Sequence, residues 1–307
     1  KKSLGHFLKE IPMKYRFIKQ YSSNYRVQKM CQVLTVSRSG YYQWLKGKTS
    51  QRVQANIILL KEIESINSDR YMANYGSPRM TTELIDRGFQ CSEPRVARIM
   101  NKNNIKSKIK TKYKVTTNSN HKKKYSPNLL CQNFNVNAPN KVWVSDLTFI
   151  WTLEGWLYLT TVLDLFHRKI VGWAMSNRMF SEVTTQAALE QAYKRERPDK
   201  DLIIHSDCGV QYASDGFRGD LSKYCMIQSM SGKGNCYDNA VAESFFKTIK
   251  TELIYKMRFR TRKEARQTIF HYIEYFYNRN RKHSYLGNMS PELFLIKYLE
   301  KLNNNAA

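Results

Sequence analysis

Acidic side chains are scarce in this chain of 307 residues: 25 Asp+Glu stand against 51 Lys+Arg, a formal net charge of +26. Between Pro94 and Ser145 there is no acidic residue at all. Such an imbalance says nothing about fold, but it makes a polyanion the natural partner. Long apolar runs are also missing. Stretches such as LYLTTVLDLF are broken by polar groups and fall short of the roughly 20 residues that a bilayer span needs. No membrane segment or signal peptide is therefore expected, and a cytoplasmic location, nucleoid-associated when bound to DNA, is. Cysteine is sparse too. Cys31, Cys91, Cys131, Cys208, Cys225 and Cys236 show no paired short spacing, which argues against a zinc ribbon or a disulfide framework and fits a reduced compartment. No candidate His base accompanies Cys208 or Cys236, so thiol catalysis is not expected.

What is present falls into five stretches. Residues 1–53 read as helical: Leu4, Phe7, Leu8 and Ile11 mark one face, Pro12 interrupts it, and the pattern resumes with Met13, Phe17 and Tyr21. VQKMCQVLTVSRSGYYQWLKG then predicts a helix, a tight turn, and a second helix capped by Ser37 and ended by Gly47. That is the spacing of a helix-turn-helix, and also of an ordinary helical hairpin. Residues 54–108 repeat the theme, with helix starts at Ser77-Pro78 and Ser92 to Pro94 and a stop at Gly88. The last of these helices would offer Arg95, Arg98 and Lys102 to DNA. Residues 109–134 form a basic linker, continuing a run of lysines that begins at Lys102, Lys106 and Lys108. An unbalanced charge run beside two such helical patterns reads as a DNA-tracking segment.

From residue 135 to 256 the period changes. KVWVSDLTFIW, GWLYLTTVLDLF and RKIVGWAMS are strand-like runs with TLEG as a hairpin loop, and LIIHSD and MIQSMS are short strands separated by helices. Three antiparallel strands followed by alternating helices and parallel strands make a five-stranded α/β sheet. Residues 257–307 read as a basic helical extension, with a capping box at Thr261 to Glu264 and a turn carrying Arg279, Arg281 and Lys282 as candidate DNA contacts.

Three acids stand out on this outline. Asp146 lies in the first strand, Asp207 ends LIIHSD, and Glu243 sits in the first turns of a long helix, with 60 and 35 residues between them. Groups at the carboxyl ends of strands cluster in such sheets, and a neighbouring helix can add a third. Converging carboxylates repel unless a cation sits among them, and hard oxygen donors suit Mg²⁺ or Mn²⁺, with two ions serving phosphoryl transfer. Lys247 and Lys250 follow Glu243 at i+4 and i+7, where they would reach phosphates beside that site. Singly, each acid could equally be a turn, cap or salt-bridge residue. Asp164, Asp215, Asp238 and Glu252 are assigned such structural roles.

Taken together, VWVSDLTFI, LDLFHRKIVGW, HSDCGVQYAS, SGKGNCYDNAVAESFFKTIKTELI, YIEYFYNRNRKHSYLG and MSPELF resemble the blocks, in order, of the retroviral-integrase-like DDE transposases of bacterial insertion sequences. The resemblance is to the copy-out, paste-in group made by programmed frameshifting, and to its downstream catalytic reading frame. It implies a ribonuclease-H-like core preceded by all-α helix-turn-helix segments, with Asp146, Asp207 and Glu243 as the catalytic and metal-binding triad. It further implies Mg²⁺ or Mn²⁺, two reactions at one site, double-stranded DNA partners in the form of terminal inverted repeats and target DNA, and a homo-oligomer. Cys208 and Val210 depart from the family pattern, where a polar or basic residue and Ser are expected. KKSLGHFLKEI looks like the end of an upstream helix whose helix-turn-helix and leucine-zipper portion is not in this chain. Alternative readings of the same residues are a ribonuclease-H-like nuclease that cuts without joining, and an inactive DNA-binding remnant or regulator.

Overall fold

The structure is a computed structural model that describes residues 10–47, 50–107, 125–232 and 236–306. Leu4, Phe7 and Leu8, and most of the expected basic linker, lie outside the described residues. By compactness the chain divides into Lys1–Glu64 and Ser65–Ala307, a division that falls within one helix.

In the first unit α1 (Ile11–Gln20), α2 (Val27–Val33) and α3 (Arg38–Leu45) close around Tyr15, Ile18, Met30, Cys31, Leu34 and Tyr41. Whether Pro12 interrupts an earlier helix falls on residues outside those described, but the pattern that resumes after it is helical. Pro12 occupies the first turn of α1, where its missing N–H costs nothing and its fixed φ suits helix entry. The hydroxyl of Ser37 accepts from the backbone N–H of Gly40 at 3.3 Å, and Gly47 follows α3 with φ +63°, so both ends of the helix are formed as the sequence indicates. Helix α4 (Gln51–Ser68) contains the boundary between the units.

In the second unit α5 (Ser77–Asp86) and α6 (Glu93–Lys102) pack on each other through Met80, Leu84, Val96, Ile99 and Met100. Pro78 and Pro94 stand in their first turns. The sheet follows. β1 (Val142–Thr152), β2 (Gly155–Asp164) and β3 (Ile170–Ser176) form an antiparallel meander, and β4 (Ile203–Ser206) and β5 (Ile227–Met230) add in parallel, in the order β3-β2-β1-β4-β5. This is the ribonuclease-H-like topology. α7 (Thr185–Glu196) and α8 (Asp215–Lys223) lie between the parallel strands in sequence and cover one face over Trp143, Val162, Leu189, Ile204, Phe217 and Met230. The approach of α7 to β3 is close enough that a Cβ on Gly172 would collide with the backbone of Ala188 and Ala192.

α9 (Ala240–Glu252) packs against β1. α10 (Arg262–His271) begins with Thr261 Oγ1 accepting from Glu264 N at 3.0 Å, while the Glu264 carboxylate accepts from Arg260 N at 2.8 Å. α10 runs on as a π-helical segment, Tyr272–Tyr277, before α11 (Pro291–Ala306). The side chain of Asn278 accepts from Ile170 N at 2.9 Å and donates to Ile170 O at 3.0 Å. The stretch expected as a basic extension is thus pinned to the edge strand of the sheet, whose polar groups it satisfies.

Candidate active site

Strand register places the two aspartates. β1 and β4 pair in parallel from Val142 opposite Ile203 to Ser145 opposite Ser206, so the next residue on each chain is Asp146 and Asp207. β4 ends there, which frees Asp207 at the carboxyl end of the strand. Asp146 continues β1 opposite Thr161 of β2, and its carboxylate accepts from Leu147 N at 2.7 Å. The carboxylate of Asp207 accepts from Gly209 N at 2.9 Å. A Cβ on Gly209 would stand 2.9 Å from that same oxygen, so glycine is what admits so tight a turn.

The floor of the site is polar. Ser145 Oγ donates to Thr161 O at 2.9 Å and lies 2.8 Å from the Tyr212 hydroxyl, which donates to it in turn. Glu243 is exposed in the first turn of α9, where the helix dipole favours a carboxylate. Asn239, just before that helix, donates Nδ2 to Ser145 O at 3.3 Å. One buried amide therefore ties the start of the Glu243 helix to the residue preceding Asp146.

Burial pushes the Asp146 carboxyl well above the usual carboxylate range, and the neighbouring Asp207 and Glu243 push it further. Burial first and Asp207 second also raise Glu243. The three acids thus share one electrostatic environment, and the Tyr212 phenol beneath is raised well above its ordinary value by burial, Asp146 and Asp207. Among the described residues no group of three or more His, Cys, Asp or Glu side chains stands close enough together to hold a metal ion as placed. Lys250 is half-buried two turns along α9, lowered by burial and partly restored by the charge of Asp146, so it lies within electrostatic reach of that acid. Lys247 is exposed on the same helix.

The other candidate DNA contacts divide. Arg98 and Lys102 are exposed on α6 and Arg95 is half-buried. Arg279 is exposed and pairs with Glu292 at 3.3 Å. Arg281 and Lys282 correct the sequence expectation, because both are buried. Arg281 makes a two-pronged pair with Glu252 at 2.9 and 2.8 Å, joined by Arg79 at 3.5 Å and the Tyr272 hydroxyl at 2.7 Å. Lys282 pairs with Asp86 and Glu83 of α5. These charges face protein and hold α5 onto the end of α9 and the segment after Tyr277; a basic sequence run does not show which of its members turn inward. A groove of about 420 Å³ lies among Glu83, Asp86, Arg87, Arg279 and Lys282, and none of the three acids lines it.

The competing acids are structural. Asp164 is buried and accepts from Asn140 N at 2.6 Å, Phe166 N at 2.7 Å and Trp143 Nε1 at 3.2 Å; burial pushes it up to about 6. Asp238 accepts from Gly232 N and Gln132 Nε2, both at 2.9 Å. At α8 the cap is Ser214, not Asp215. Cys208 is buried, donating to Ser231 O at 2.9 Å, so of the two family departures only Val210, which is exposed, changes the surface beside Asp207. Ser145, Tyr212 and Asn239 were not singled out in the sequence; nothing in their local pattern marks them, since each acts through a partner distant along the chain.

Sheet order and paired acids define a class, the integrase-core proteins. Residues 136–236 and 224–291 both match the Integrase core domain, and residues 54–113 match an HTH-like domain. The chain is 46% identical over 269 residues to the "Insertion element IS600 uncharacterized 31 kDa protein" of Shigella sonnei, covering 88% of this chain and 98% of that protein. It is 38% identical over 290 residues to "Transposase InsF for insertion sequence IS3A" of Escherichia coli (strain K12), covering 94% and 100%. The chain belongs to this family of insertion-sequence transposases. Solved structures similar to it include a simian T-cell lymphotropic virus intasome bound to PP2A regulatory subunit B56 gamma, at 14% identity and TM-score 0.43 over 73% of this chain and 71% of that one. Another is the HTLV-2 integrase catalytic core domain in complex with magnesium, at 16% identity and TM-score 0.40 over 51% and 96%.

Proposed function

We propose that this transposase cuts and joins DNA at the ends of an insertion sequence, with Asp146, Asp207 and Glu243 as its catalytic carboxylates. The observation that carries this is the parallel register of β1 and β4, which sets Asp146 beside Asp207 under the helix that presents Glu243. Two aspartates and a glutamate whose charges oppose one another are a poor structural choice and a good oxygen donor set for Mg²⁺ or Mn²⁺. When bound, a pair of such ions activates an attacking oxygen and stabilises a leaving one.

The chain's own residues supply position and charge. Lys250 and Lys247 hold phosphates of the DNA backbone on the side where α9 presents Glu243, and Asn239 fixes that helix against β1. The buried Tyr212 phenol supports Ser145 below the acids. Water attacks the phosphodiester at the element end, leaving a 5′-phosphate and releasing a 3′-hydroxyl, and that hydroxyl then attacks a second phosphodiester, forming a new one as the 3′-oxygen of the attacked strand leaves as a hydroxyl. Both are in-line transfers in which orientation and charge stabilisation carry the rate, with no covalent enzyme intermediate. Exposed Arg98 and Lys102 on α6 suit phosphate or base-edge contacts of the HTH-like region with terminal repeats. Oligomeric assembly is what would let one complex hold two ends.

The test is a Mg²⁺-dependent assay on labelled duplexes copied from the DNA flanking the gene. Joined products that vanish in Asp146→Asn, Asp207→Asn and Glu243→Gln are expected. Cleaved but never joined products would make the protein a plain nuclease, and products unaffected by all three substitutions would remove the site assignment.

A further inference from the structure

The tip of the β1–β2 hairpin carries apolar surface that none of the described residues of the second unit covers. Trp151, Leu153 and Trp156 are 57%, 56% and 47% exposed. The two indoles meet edge to face at 4.9 Å, and Phe149 continues the patch toward Trp156 at 6.2 Å and Tyr158 at 5.4 Å. The hairpin is held rigidly. Thr152 Oγ1 donates to Gly155 O at 2.7 Å across a turn that needs Gly155 at φ +104°. Leu153 N donates to Phe259 O at 3.1 Å, Arg262 N to Glu154 at 2.7 Å, and Arg262 Nε to Trp156 O at 3.0 Å.

Those last contacts set a cationic strand of chain against the rings. Residues 256–263 read KMRFRTRK, with five cations and no acid, and Arg258, Arg260 and Lys263 are exposed. The nearest carboxylates, Glu154 and Glu264, already accept from backbone N–H groups of Arg262 and Arg260. Two copies of the chain meeting through this patch would bring like charges together, whereas DNA would bring phosphates to the cations and bases to the rings. Base-paired DNA offers ring faces only at its ends, so the complementary ligand is unpaired.

We propose that the β1–β2 hairpin is a stacking platform for unpaired bases of DNA, with Trp151 and Trp156 taking the bases and Arg258, Arg260 and Lys263 holding the flanking phosphates. This rests on DNA as the substrate but not on the three acids. Trp151 lies five residues beyond Asp146 in β1, an odd interval that puts it on the opposite face of the sheet and about 17 Å along the strand. The platform therefore grips a stretch of strand separate from the scissile phosphate, such as one opened next to a cut end.

The test compares wild type with Trp151→Ala/Trp156→Ala by fluorescence anisotropy in EDTA, using a labelled single strand of about 20 nucleotides and a blunt duplex of the same length. Affinity for the single strand should fall about tenfold or more while duplex affinity changes less than about twofold, and Trp151→Phe/Trp156→Phe should restore single-strand binding. Arg258→Ala should weaken both DNAs and lower the salt slope by about one unit. Equal loss on both DNAs, or none, overturns the proposal. So does a variant whose sedimentation shows loss of self-association with DNA affinity intact, which would make the patch a protein contact. Because binding is read in EDTA, where no strand is cut, failure of this proposal leaves the functional reading standing; a wild type that binds neither DNA overturns the functional reading and this one together.

Discussion

At the scale of single residues, the acids of this protein show two opposite uses of buried charge. Glu252 is paired: burial alone would raise it, but Arg281, Tyr272 and Arg79 hold it below its ordinary value. A depressed carboxylate stabilises the fold fully above its unfolded value near 4.5 and loses that contribution as pH falls through the folded value. Glu252→Gln should accordingly cost about 3–5 kcal/mol at neutral pH, because Arg281 is left buried without its partner, and should flatten the acid limb of a melting-temperature profile. Asp146 is the reverse, a carboxylate raised by burial and by like charges. Without divalent metal, Asp146→Asn should leave the melting temperature unchanged or raise it, by roughly 1 kcal/mol in stability, while abolishing DNA processing. A drop of several kcal/mol would mean that Asp146 is a structural residue. Arg281 and Asp146 also mark what sequence could tell. The three acids could be read as candidates because their strand and helix positions agreed; the inward turn of Arg281 and Lys282 could not, since a basic run has the same composition whether it meets phosphate or a buried glutamate.

At the scale of elements, strand register and close packing do the positioning. Nearly all of the sheet could be read from alternation and turn residues: TLEG gives the hairpin, LIIHSD the strand that ends at Asp207, and Thr261 with Glu264 the start of α10. What could not be read was tertiary. Nothing local says that Asn278 closes the sheet edge at Ile170 or that Asn239 reaches Ser145. Gly172→Ala should force α7 away from β3 and destabilise the protein by about 1–3 kcal/mol in chemical denaturation. Asn239→Ala should leave folding largely intact, since one long hydrogen bond is lost, yet lower the rate of cleavage at saturating DNA more than it weakens DNA binding. Equal effects on rate and binding would argue against its placing the Glu243 helix.

At the scale of the whole molecule, a net charge of +26 makes association with DNA strongly salt-dependent. If six or more phosphates are neutralised, affinity for random duplex should fall by about a thousandfold between roughly 50 and 200 mM salt, and Arg98→Ala/Lys102→Ala should shallow that slope. The ion pairs of Arg79 with Glu252 and of Lys282 with Asp86 tie α5 to the compact unit that holds the sheet and also contains α6, so α6 keeps a fixed place relative to the acids. Among the described residues no helix is long and apolar enough to cross a membrane. The central claim is that Asp146, Asp207 and Glu243 form one divalent-metal site, and the most direct measurement is a Mn²⁺ titration followed by electron paramagnetic resonance on wild type and the variants Asp146→Asn, Asp207→Asn and Glu243→Gln. Each substitution should weaken Mn²⁺ binding by about tenfold or more in a protein that remains folded. Mn²⁺ binding that is unchanged in all three folded variants would contradict the account.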